Sequence, residues 1–484
     1  MLAFLDVEKN NTVIIREEFV GFRHAESVKG AAISDLIVRF LADLELDINK
    51  IRAQCYDGAA NMAGKYSGVQ ARILQLNPEA NYIHCKAHAL NLALIHSSKD
   101  VSVRNMMSTV QEIAFSFDYS AKRLLAFSEE LSDNQNVKEQ LDRRTKLRTL
   151  CETRWSSRAD SLFTFLNAFP VVVSSLEALK DDRDDKAAQY VNAILKFDFM
   201  IALVVAEHLL SATVALTNYF QKKSDINLID AVQEARIVVQ RLDNERTDPN
   251  VWTALFEKAV KVGEEFEIPP SIPRRAGRQM HRQNHPINDP SEYWRVSLYL
   301  VFLDHLVTEI TSRVIKNKGR FSAEYLIPSK LQALTDQTQN SIFETFHADL
   351  GDIHAFNDEV ARWKIRWDMV DGQRPQKLLE TLNATNKDLY PNIYSILTVL
   401  LTMPVSSASS ERSFSAMRRI KGYLRATMGD ERPSNLSILH IHRERSVNIK
   451  DIIDKFSVKK KTDALISFKR CDFVMVFPEN LVLY

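Results

Sequence analysis

The chain has 484 residues, which is too long for one ordinary domain and predicts about two to four structural units. Hydrophobic residues make up 45% and charged residues 26%, and this balance excludes a mainly disordered protein. Lys and Arg number 63 against 62 for Asp and Glu, so any nucleic-acid contact must come from local basic patches. Only 12 glycines and 14 prolines favour helices over a sandwich or barrel.

The compartment is predicted from cysteine usage and hydropathy. Cys55, Cys85, Cys151 and Cys471 are too sparse for a disulfide framework, which indicates a reducing environment. No apolar run reaches the ~18 residues that a membrane span needs. The first residues have no basic region and too short an apolar stretch for a signal peptide. The sequence therefore predicts a soluble, intracellular protein.

Strands and helices alternate along the first hundred residues. A β-branched and aromatic run over 13–22 predicts a strand, and apolar residues at helical spacing over 33–44, after a possible cap at Ser27, predict a helix. The short run 51–56 predicts a strand that ends at Asp57. Further elements are predicted as a helix over 66–76, a strand over 82–85 and a helix over 87–96. This order predicts a mostly parallel sheet with covered faces.

From about residue 100 to 400 the pattern is nearly all helical. The clearest break, 268–290, is rich in proline and includes a basic stretch over 274–282, and a charged linker is predicted around 181–186. Three more helices are predicted at about 389–401, 407–421 and 433–444. The tail after Ser446 has no assignable role.

Asp57 comes directly after a predicted buried strand. A carboxylate at the carboxyl end of a strand points into the crevice where α/β sheets bind ligands, and the small residues that follow leave room for a phosphate or metal. The alternative is that Asp57 caps the next helix. Spacing alone favours the cap.

Cys85 and His88 are two potential metal ligands three residues apart. A structural zinc site needs four ligands, usually two such pairs, and Cys55 and Cys151 stand alone. The pattern therefore favours packing of Cys85 and His88 at a strand–helix junction over zinc binding.

The stretch 143–158 carries six basic residues and one acidic residue, a local charge of +5. It contains Arg154, Trp155 and Arg158, and cations beside a tryptophan suit a phosphate backbone and an unstacked base. A solvated helix end with a core tryptophan explains the same pattern equally well.

Glu411 follows a run of small polar residues and lies early in a predicted amphipathic helix, where the helix dipole favours an anion. A capping role is the simpler interpretation. The more specific interpretation is a metal-binding carboxylate on a helix beside the sheet. The position of Glu411 alone favours the capping role.

Four motifs occur in the order seen in hobo–Activator (hAT) transposases: CYDGAANMAGKYSGVQ from Cys55, HCKAH from His84, CETRW from Cys151 and PVSSASSERSFSAMRRIK from Pro404. The sequence most resembles the domesticated branch that includes MYM-type zinc-finger protein 1-like sequences. The segments RRAGRQMHR and YWRVSLYLVFLDHL are similar to the same branch. The resemblance covers about residues 4–446.

The resemblance implies an α/β fold with a large all-α insertion, in which a ribonuclease-H-like core is interrupted by a helical domain. The implied domains are an N-terminally truncated first part of the core over 1–160 and the helical insertion over 161–388. The hAT C-terminal dimerisation region over 389–446 completes the core, and 447–484 is a divergent tail.

The resemblance also implies site residues. Cores of this kind hold two Mg²⁺ ions with three carboxylates, and here Asp57 corresponds to the second catalytic Asp and Glu411 to the catalytic Glu, both as metal ligands. Cys85 and His88 correspond to the Cys-x-x-His pair of the family. The implied DNA-binding residues are Arg154 and Trp155, from the motif that handles the flipped base, together with Arg158.

One departure from the family decides the functional prediction. The family's first catalytic Asp lies about sixty residues before the second, so counting back from Asp57 passes the start of the chain. Residues 1–6 are expected to end the second strand, with Asp6 in a turn, and the N-terminal zinc finger is expected to be absent. The predicted core is therefore catalytically incomplete.

The sequence thus predicts a domesticated or truncated hAT transposase-like protein that is not an enzyme and needs no cofactor, with Mg²⁺ bound only if activity remains. It is expected to associate with itself or with related hAT-like proteins and to bind DNA weakly and non-specifically. Its expected location is the nucleus, without binding to membranes. Two alternatives remain: an active DNA transposase whose zinc finger and first catalytic Asp were lost from the gene model, and a repurposed nuclear DNA-binding regulator.

Overall fold

The computed structural model describes residues 1–7, 13–141, 144–150, 155–222, 226–273, 289–316, 320–422, 427–429, 431–445, 448–459 and 481–483. Arg154 and the basic stretch 274–282 lie outside the described residues, as does most of the tail. Trp155 is described as the first residue of a helix, without its side chain.

The strands of the described residues are β1 (Leu2–Val7), β2 (Val13–Glu18), β3 (Ile51–Tyr56), β4 (Asn81–His84) and β5 (Leu481–Leu483). The helices are α1 (Gly30–Asp43), α2 (Ala60–Ala63), α3 (Val69–Leu76), α4 (Lys86–Ser97), α5 (Val101–Asp118), α6 (Ala121–Asp133), α7 (Gln135–Gln140), α8 (Trp155–Asn167), α9 (Phe169–Asp181), α10 (Asp185–Ile194), α11 (Phe197–Ser211), α12 (Val214–Lys222), α13 (Leu228–Thr247), α14 (Pro249–Glu264), α15 (Pro290–Trp294), α16 (Leu300–Ile310), α17 (Asp336–Phe346), α18 (Ile353–Asp368), α19 (Leu378–Asn383), α20 (Pro391–Thr402), α21 (Ala408–Ile420), α22 (Glu431–Ile441) and α23 (Ile449–Lys459).

The chain divides into two compact units. The first unit comprises Met1–Cys85, Lys223–Asp230 and Lys318–Tyr484, and the second comprises Lys86–Lys222 and Ala231–Asn317. These bounds differ from the boundaries at residues 160 and 388 that the sequence predicts, because the helices directly after β4 pack within the second unit.

The sheet of the first unit has the order β2-β1-β5-β3-β4. Its pairs β1–β2 and β1–β5 are antiparallel, whereas β3–β5 and β3–β4 are parallel. Among the described strands only β1 is reversed, so the sheet is mostly parallel in strand direction, as predicted, but two of its four pairs of neighbouring strands are antiparallel. Only five residues separate β1 from β2, and a connection this short joins antiparallel strands, whereas parallel neighbours need a crossover of a dozen or more residues.

Two details near the chain ends also differ from the sequence-based expectations. Asp6 does not occupy a turn, because it lies within β1 opposite Ile14 and forms an ion pair of 2.5 Å with Arg16. The tail, to which the sequence assigns no role, contributes β5 to the middle of the sheet.

Helices α1 and α3 pack on the sheet through an apolar cluster. Its buried members are Leu2, Leu41, Leu46, Ile51, Tyr56, Val69, Ile73 and Ala80. Helix α1 presents Ile33 and Ile37 to this cluster, four residues apart, as an amphipathic helix does. The sequence predicted strand β3 with its observed bounds and the core helices to within about three residues at each end.

The C-terminal helices complete the first unit, and α20 packs on β1. The apolar side chains of α20 are almost fully buried: Ile393, Ile396, Leu397, Leu400 and Leu401. A helix whose apolar residues face inward in this way stabilises its own unit rather than an interface with another chain.

The second unit is helical throughout its described residues, and α11 lies at its centre. Twelve of the fifteen residues of α11 are buried, so it is apolar on every side, as expected of a helix surrounded by other helices. It packs against α5, α8 and α14. Within the described part of the chain no single helix is long and apolar enough to cross a membrane; two sharply bent helix pairs meet the length and composition criteria.

Candidate functional site at the carboxyl edge of the sheet

Four of the five strands end at the same edge of the sheet. Because β2 is antiparallel to β1 and β1 is antiparallel to β5, strand β2 runs in the same direction as β5, β3 and β4. The carboxyl ends of β2, β3 and β4 therefore meet at one edge, where α/β folds bind ligands. This edge carries Glu17, Asp57 and Cys85.

Asp57 is exposed and sits in a tight turn after β3. Its Oδ1 accepts a hydrogen bond from the backbone N–H of Ala59 at 3.1 Å. The next helix, α2, has Ala59 as its N-cap residue and no side-chain capping bond. Asp57 thus stabilises a turn by bonding to the backbone two residues further on, as short Asp side chains commonly do. It does not cap the helix.

Tyr82 fixes the backbone of Asp57. Its hydroxyl donates to the Asp57 carbonyl at 3.1 Å, and its ring stacks on that of Tyr56 with centroids 6.2 Å apart. Burial raises the pKa of Tyr82 above its ordinary value, so the hydroxyl keeps its proton and remains a donor at neutral pH.

Gly30 and Gly68 serve backbone packing near Asp57. A Cβ on Gly68 would lie 2.5 Å from the Gly64 nitrogen, and a Cβ on Gly30 would lie 2.7 Å from the Ser67 carbonyl oxygen. These two glycines therefore allow the beginnings of α1 and α3 to approach the loop between α2 and α3.

Cys85 connects two parts of the first unit. It is fully buried, and its thiol is reduced. Its backbone N–H donates to the Tyr56 carbonyl at 3.0 Å, and its Sγ accepts from the backbone N–H of Ser407 at 3.2 Å. Cys85 therefore joins the end of β3 to the loop before α21. His88 lies one turn into α4, in the second unit.

Glu411 is exposed in the first turn of α21. Its backbone N–H donates to the Ser407 carbonyl at 3.1 Å, which starts the helix. Near it, Ser409 bonds to Glu17 at the end of β2, and Arg412 donates to Ser409 Oγ at 2.6 Å. The N-terminus of α21 is thus attached to the same sheet edge that carries Asp57.

The described residues do not assemble the carboxylate set that two Mg²⁺ ions need. No group of three or more His, Cys, Asp or Glu side chains in the described ranges is placed to hold a metal ion. Of the carboxylates near this edge, Glu17 bonds to Ser409, and Asp57 and Glu411 are exposed on separate elements. These residues do not fit a two-metal centre, and we derive no reaction step through one.

Three cations of the basic stretch before α8 form ion pairs with two acids on helices α5 and α8. Arg144 and Arg148 share Asp160, with N–O distances of 2.6 and 2.5 Å, and Lys146 pairs with Asp118 at 2.8 Å. The local charge of +5 for residues 143–158 does not include Asp118 and Asp160, because both acids lie outside that stretch. Arg158 is half-buried on α8.

Sequence reasoning missed the two glutamates at the end of β2. Glu17 meets α21, whereas Glu18 is 4% exposed, forms an ion pair with Arg445 and lies 3.5 Å from His442 Nε2. The available signal was the pair Glu17-Glu18 in the middle of the predicted strand 13–22, since alternating side chains place two consecutive acids on opposite faces.

Comparison with known proteins agrees with the motifs. Residues 354–444 match the hAT family C-terminal dimerisation region, and residues 4–68 match the ZMYM1/FAM200, RNase-like domain. The chain therefore carries regions of the hAT transposase-like proteins, which confirms the resemblance predicted from the sequence.

Two curated relatives align with nearly all of the chain. The "52 kDa repressor of the inhibitor of the protein kinase" of Homo sapiens is 26% identical over 482 residues, and its counterpart in Mus musculus is 25% identical over 482 residues. Each alignment covers 94% of this chain and 61% of the relative. The chain thus spans less than two thirds of the length of these relatives.

Proposed function

We propose that this chain is a domesticated hAT transposase-like protein whose retained activity is self-association through its C-terminal region. The observation that carries the proposal is the match of residues 354–444 to a dimerisation region. The match begins earlier than the segment 389–446 predicted from motifs, and it includes α18 and α19.

The proposed contact surface lies on α18, α21 and α22. The apolar residues of α20 are buried within the unit, so they are unavailable to a partner. Exposed apolar side chains in the matched region include Ile365 (59% exposed), Met369 (79%), Phe414 (53%) and Leu439 (62%). Large apolar side chains that are exposed in one chain are the usual anchors of an interface between chains.

The test is co-purification of two differently tagged copies expressed together. Wild-type copies are expected to co-purify, and Phe414→Ser with Leu439→Ser is expected to reduce recovery at least tenfold. The matched control replaces Leu125 and Ile237, which are 58% and 52% exposed on α6 and α13 outside the matched region. Equal recovery for both double variants would refute the proposed surface.

The sheet supports a ribonuclease-H-like core as part of this proposal. A mixed sheet with one reversed strand, together with the RNase-like match over residues 4–68, is compatible with that fold, and the helical second unit takes the place of the insertion. The C-terminal helices would then pack on this core, as α20 packs on β1.

We propose further that the core does not cleave DNA, because the described carboxylates do not assemble a two-metal site. Purified protein with Mg²⁺ or Mn²⁺ is expected to leave duplex DNA with hAT-type ends intact, and Asp57→Ala and Glu411→Ala are expected to change nothing. Divalent-dependent cleavage that both substitutions abolish would establish the alternative, an active transposase.

The relatives are named repressors, and this supports a nuclear location and a regulatory role for this chain.

The proposal also includes weak DNA binding. Since Arg144, Lys146 and Arg148 are already paired with acids, we expect only weak affinity, without sequence preference. A fluorescence titration at two salt concentrations tests this, because phosphate contacts lose affinity steeply as salt rises. Tight binding to one duplex sequence would contradict it.

A further inference from the structure

The residues that follow strand β2 are bonded to helix α22 near both of its ends. The backbone N–H of Phe22 donates to Ser434 Oγ at 2.9 Å, and the carbonyl of Phe19 accepts from His442 Nε2 at 3.1 Å. Ser434 lies in the first turn of α22, and His442 directly follows its last residue. Both backbone groups lie beyond the paired residues of β2, so these side chains supply hydrogen-bond partners that the sheet does not.

Gly21 allows this segment to lie close to α22. Its φ of 132° falls in the region that glycine adopts readily and that other residues avoid. A Cβ at this position would also lie 2.8 Å from Ser434 Oγ, the atom that binds Phe22. A side chain at position 21 would therefore displace the segment from the helix.

Glu18 fixes the chain just beyond the C-terminal end of α22. It is 4% exposed, forms an ion pair with Arg445 and lies 3.5 Å from His442 Nε2. A buried carboxylate is costly unless it is paired, so loss of Arg445 would favour a different position for this end of the helix. The preceding residue, Glu17, bonds to Ser409 of α21, and the end of β2 is therefore attached to both helices.

Phe22 also contacts the proposed surface for self-association. Its ring centroid is 5.3 Å from that of Phe414 and 4.7 Å from that of Phe19. Phe414 is 53% exposed, so its ring packs on Phe22 and still remains accessible to a partner. The orientation of Phe414 thus depends on a residue outside the matched dimerisation region 354–444.

We propose that segment 18–22 positions the contact surface for a second copy of the chain, and that Glu18 is its main positioning residue. Glu18 fixes the end of α22, which carries Leu439, while Phe22 supports Phe414 of α21. This inference rests on the proposed self-association and adds a requirement to it. The dimerisation region depends on the end of β2, within the RNase-like match over residues 4–68, for the arrangement of its exposed apolar residues.

The first test measures the dissociation constant of the dimer by analytical ultracentrifugation of the full chain. Arg445→Gln is expected to weaken association by about tenfold or more, whereas Arg445→Lys, which keeps the charge beside Glu18, is expected to remain close to wild type. The matched control is Lys330→Gln, because Lys330 is 33% exposed and pairs with Glu324, which is 12% exposed, outside the matched region; Arg445 is 34% exposed. An unchanged constant for Arg445→Gln, or equal weakening by Lys330→Gln, would overturn the positioning role.

A double-variant cycle tests whether Glu18 and Arg445 act through one contact. Glu18→Gln combined with Arg445→Gln is expected to weaken association no further than Arg445→Gln alone, because the effects of residues in direct contact are not additive. Additive losses would contradict the proposed coupling.

Hydrogen exchange of α22 peptides provides a measurement that does not depend on association. Exchange is expected to be about tenfold faster in Arg445→Gln than in wild type or Lys330→Gln, because local opening of α22 becomes easier. Equal exchange in all three proteins would overturn the positioning role. A wild type that stays monomeric would overturn the proposed function itself, whereas a dimeric wild type with unaltered variants would overturn only the role of Glu18.

Discussion

Glu359 is a buried carboxylate that caps a helix from a different helix. It lies on α18, is 1% exposed, and accepts from the backbone N–H groups of Asn392 (3.1 Å) and Ile393 (2.7 Å) at the start of α20. It also accepts from the Asn392 side chain at 2.8 Å. The first N–H groups of a helix have no partner within the helix, so this carboxylate connects two helices of the dimerisation region.

Replacing Glu359 by alanine is expected to destabilise the first unit by about 3 kcal/mol, because buried donors left without a partner cost about 1–3 kcal/mol each. Hydrogen exchange of α20 peptides across a urea series measures the effect. The adjacent Asp358 is exposed, and Asp358→Ala is expected to change stability by no more than about 0.5 kcal/mol. Similar losses of stability for both variants would show that the hydrogen bonds from the start of α20 to Glu359 do not stabilise the first unit.

A substitution at Gly68 tests whether the loop between α2 and α3 requires a residue without a Cβ. An alanine Cβ there would be 2.5 Å from the Gly64 nitrogen, so Gly68→Ala is expected to cost about 1–3 kcal/mol, as overpacking does. A Cβ on Gly372 would have no neighbour within 4 Å, so Gly372→Ala is the control and is expected to be nearly neutral. Exchange rates of α3 peptides report the difference, and a neutral Gly68→Ala would contradict the packing role.

Sequence reasoning succeeded for local features of these residues and failed for long-range ones. The turn at Asp57 follows from a short Asp side chain before glycine, and it could be predicted. The bond from Ser407 to Cys85 and that from Ser409 to Glu17 join residues that are 322 and 392 positions apart. No periodicity or spacing in one sequence contains such a contact, so the role of Glu17 could not be inferred.

At the scale of elements, the second unit is stabilised in part by ion pairs between helices. Asp184 caps α10 and accepts from Arg123 of α6 at 2.8 and 3.0 Å. Burial opposes its ionisation, but the hydrogen bonds from Arg123 and from the backbone of Ala187 outweigh this and hold the pKa of Asp184 below its ordinary value. Because the folded pKa lies below the unfolded one, the stabilisation is present above the unfolded value and is lost as pH falls through the folded value.

Asp184→Asn keeps a good cap but removes the charge, so it is expected to destabilise the second unit by about 1–2 kcal/mol at pH 7, and the difference from wild type is expected to vanish as the pH falls below the lowered pKa of folded Asp184. The control is Asp182→Asn, whose ion pair with Lys122 is 66% and 61% exposed and is expected to contribute almost nothing. Urea unfolding across pH measures both. A loss that does not change with pH would contradict the charge argument.

Element types were predictable wherever one periodicity ran without interruption, as in β3, α11 and α20. The order of the strands within the sheet was not predictable, because the order of strands and helices along the chain does not state which strands are neighbours. Strand β5 pairs with residues more than 400 positions earlier, so the middle of the sheet could not be derived from any local pattern.

At the scale of the whole molecule, the apolar residues of the C-terminal region divide into two groups. Those of α20, together with Phe356 and Trp363 of α18, are buried and hold the first unit together, whereas Ile365, Phe414 and Leu439 on α18, α21 and α22 are exposed. The sequence could place apolar residues on these helices, but burial by other parts of the chain decides which of them can meet a partner. This division is why the contact surface proposed from the structure excludes α20.

Light scattering of the full chain over a range of micromolar concentrations measures self-association most directly. The account predicts a molar mass of twice that of one chain for the wild type. It predicts the mass of one chain for a variant with Ile365, Met369, Phe414 and Leu439 replaced by serine, with unchanged helix content by circular dichroism. A wild type that stays at the mass of one chain throughout, or a fourfold variant that keeps twice that mass, would contradict the proposed function.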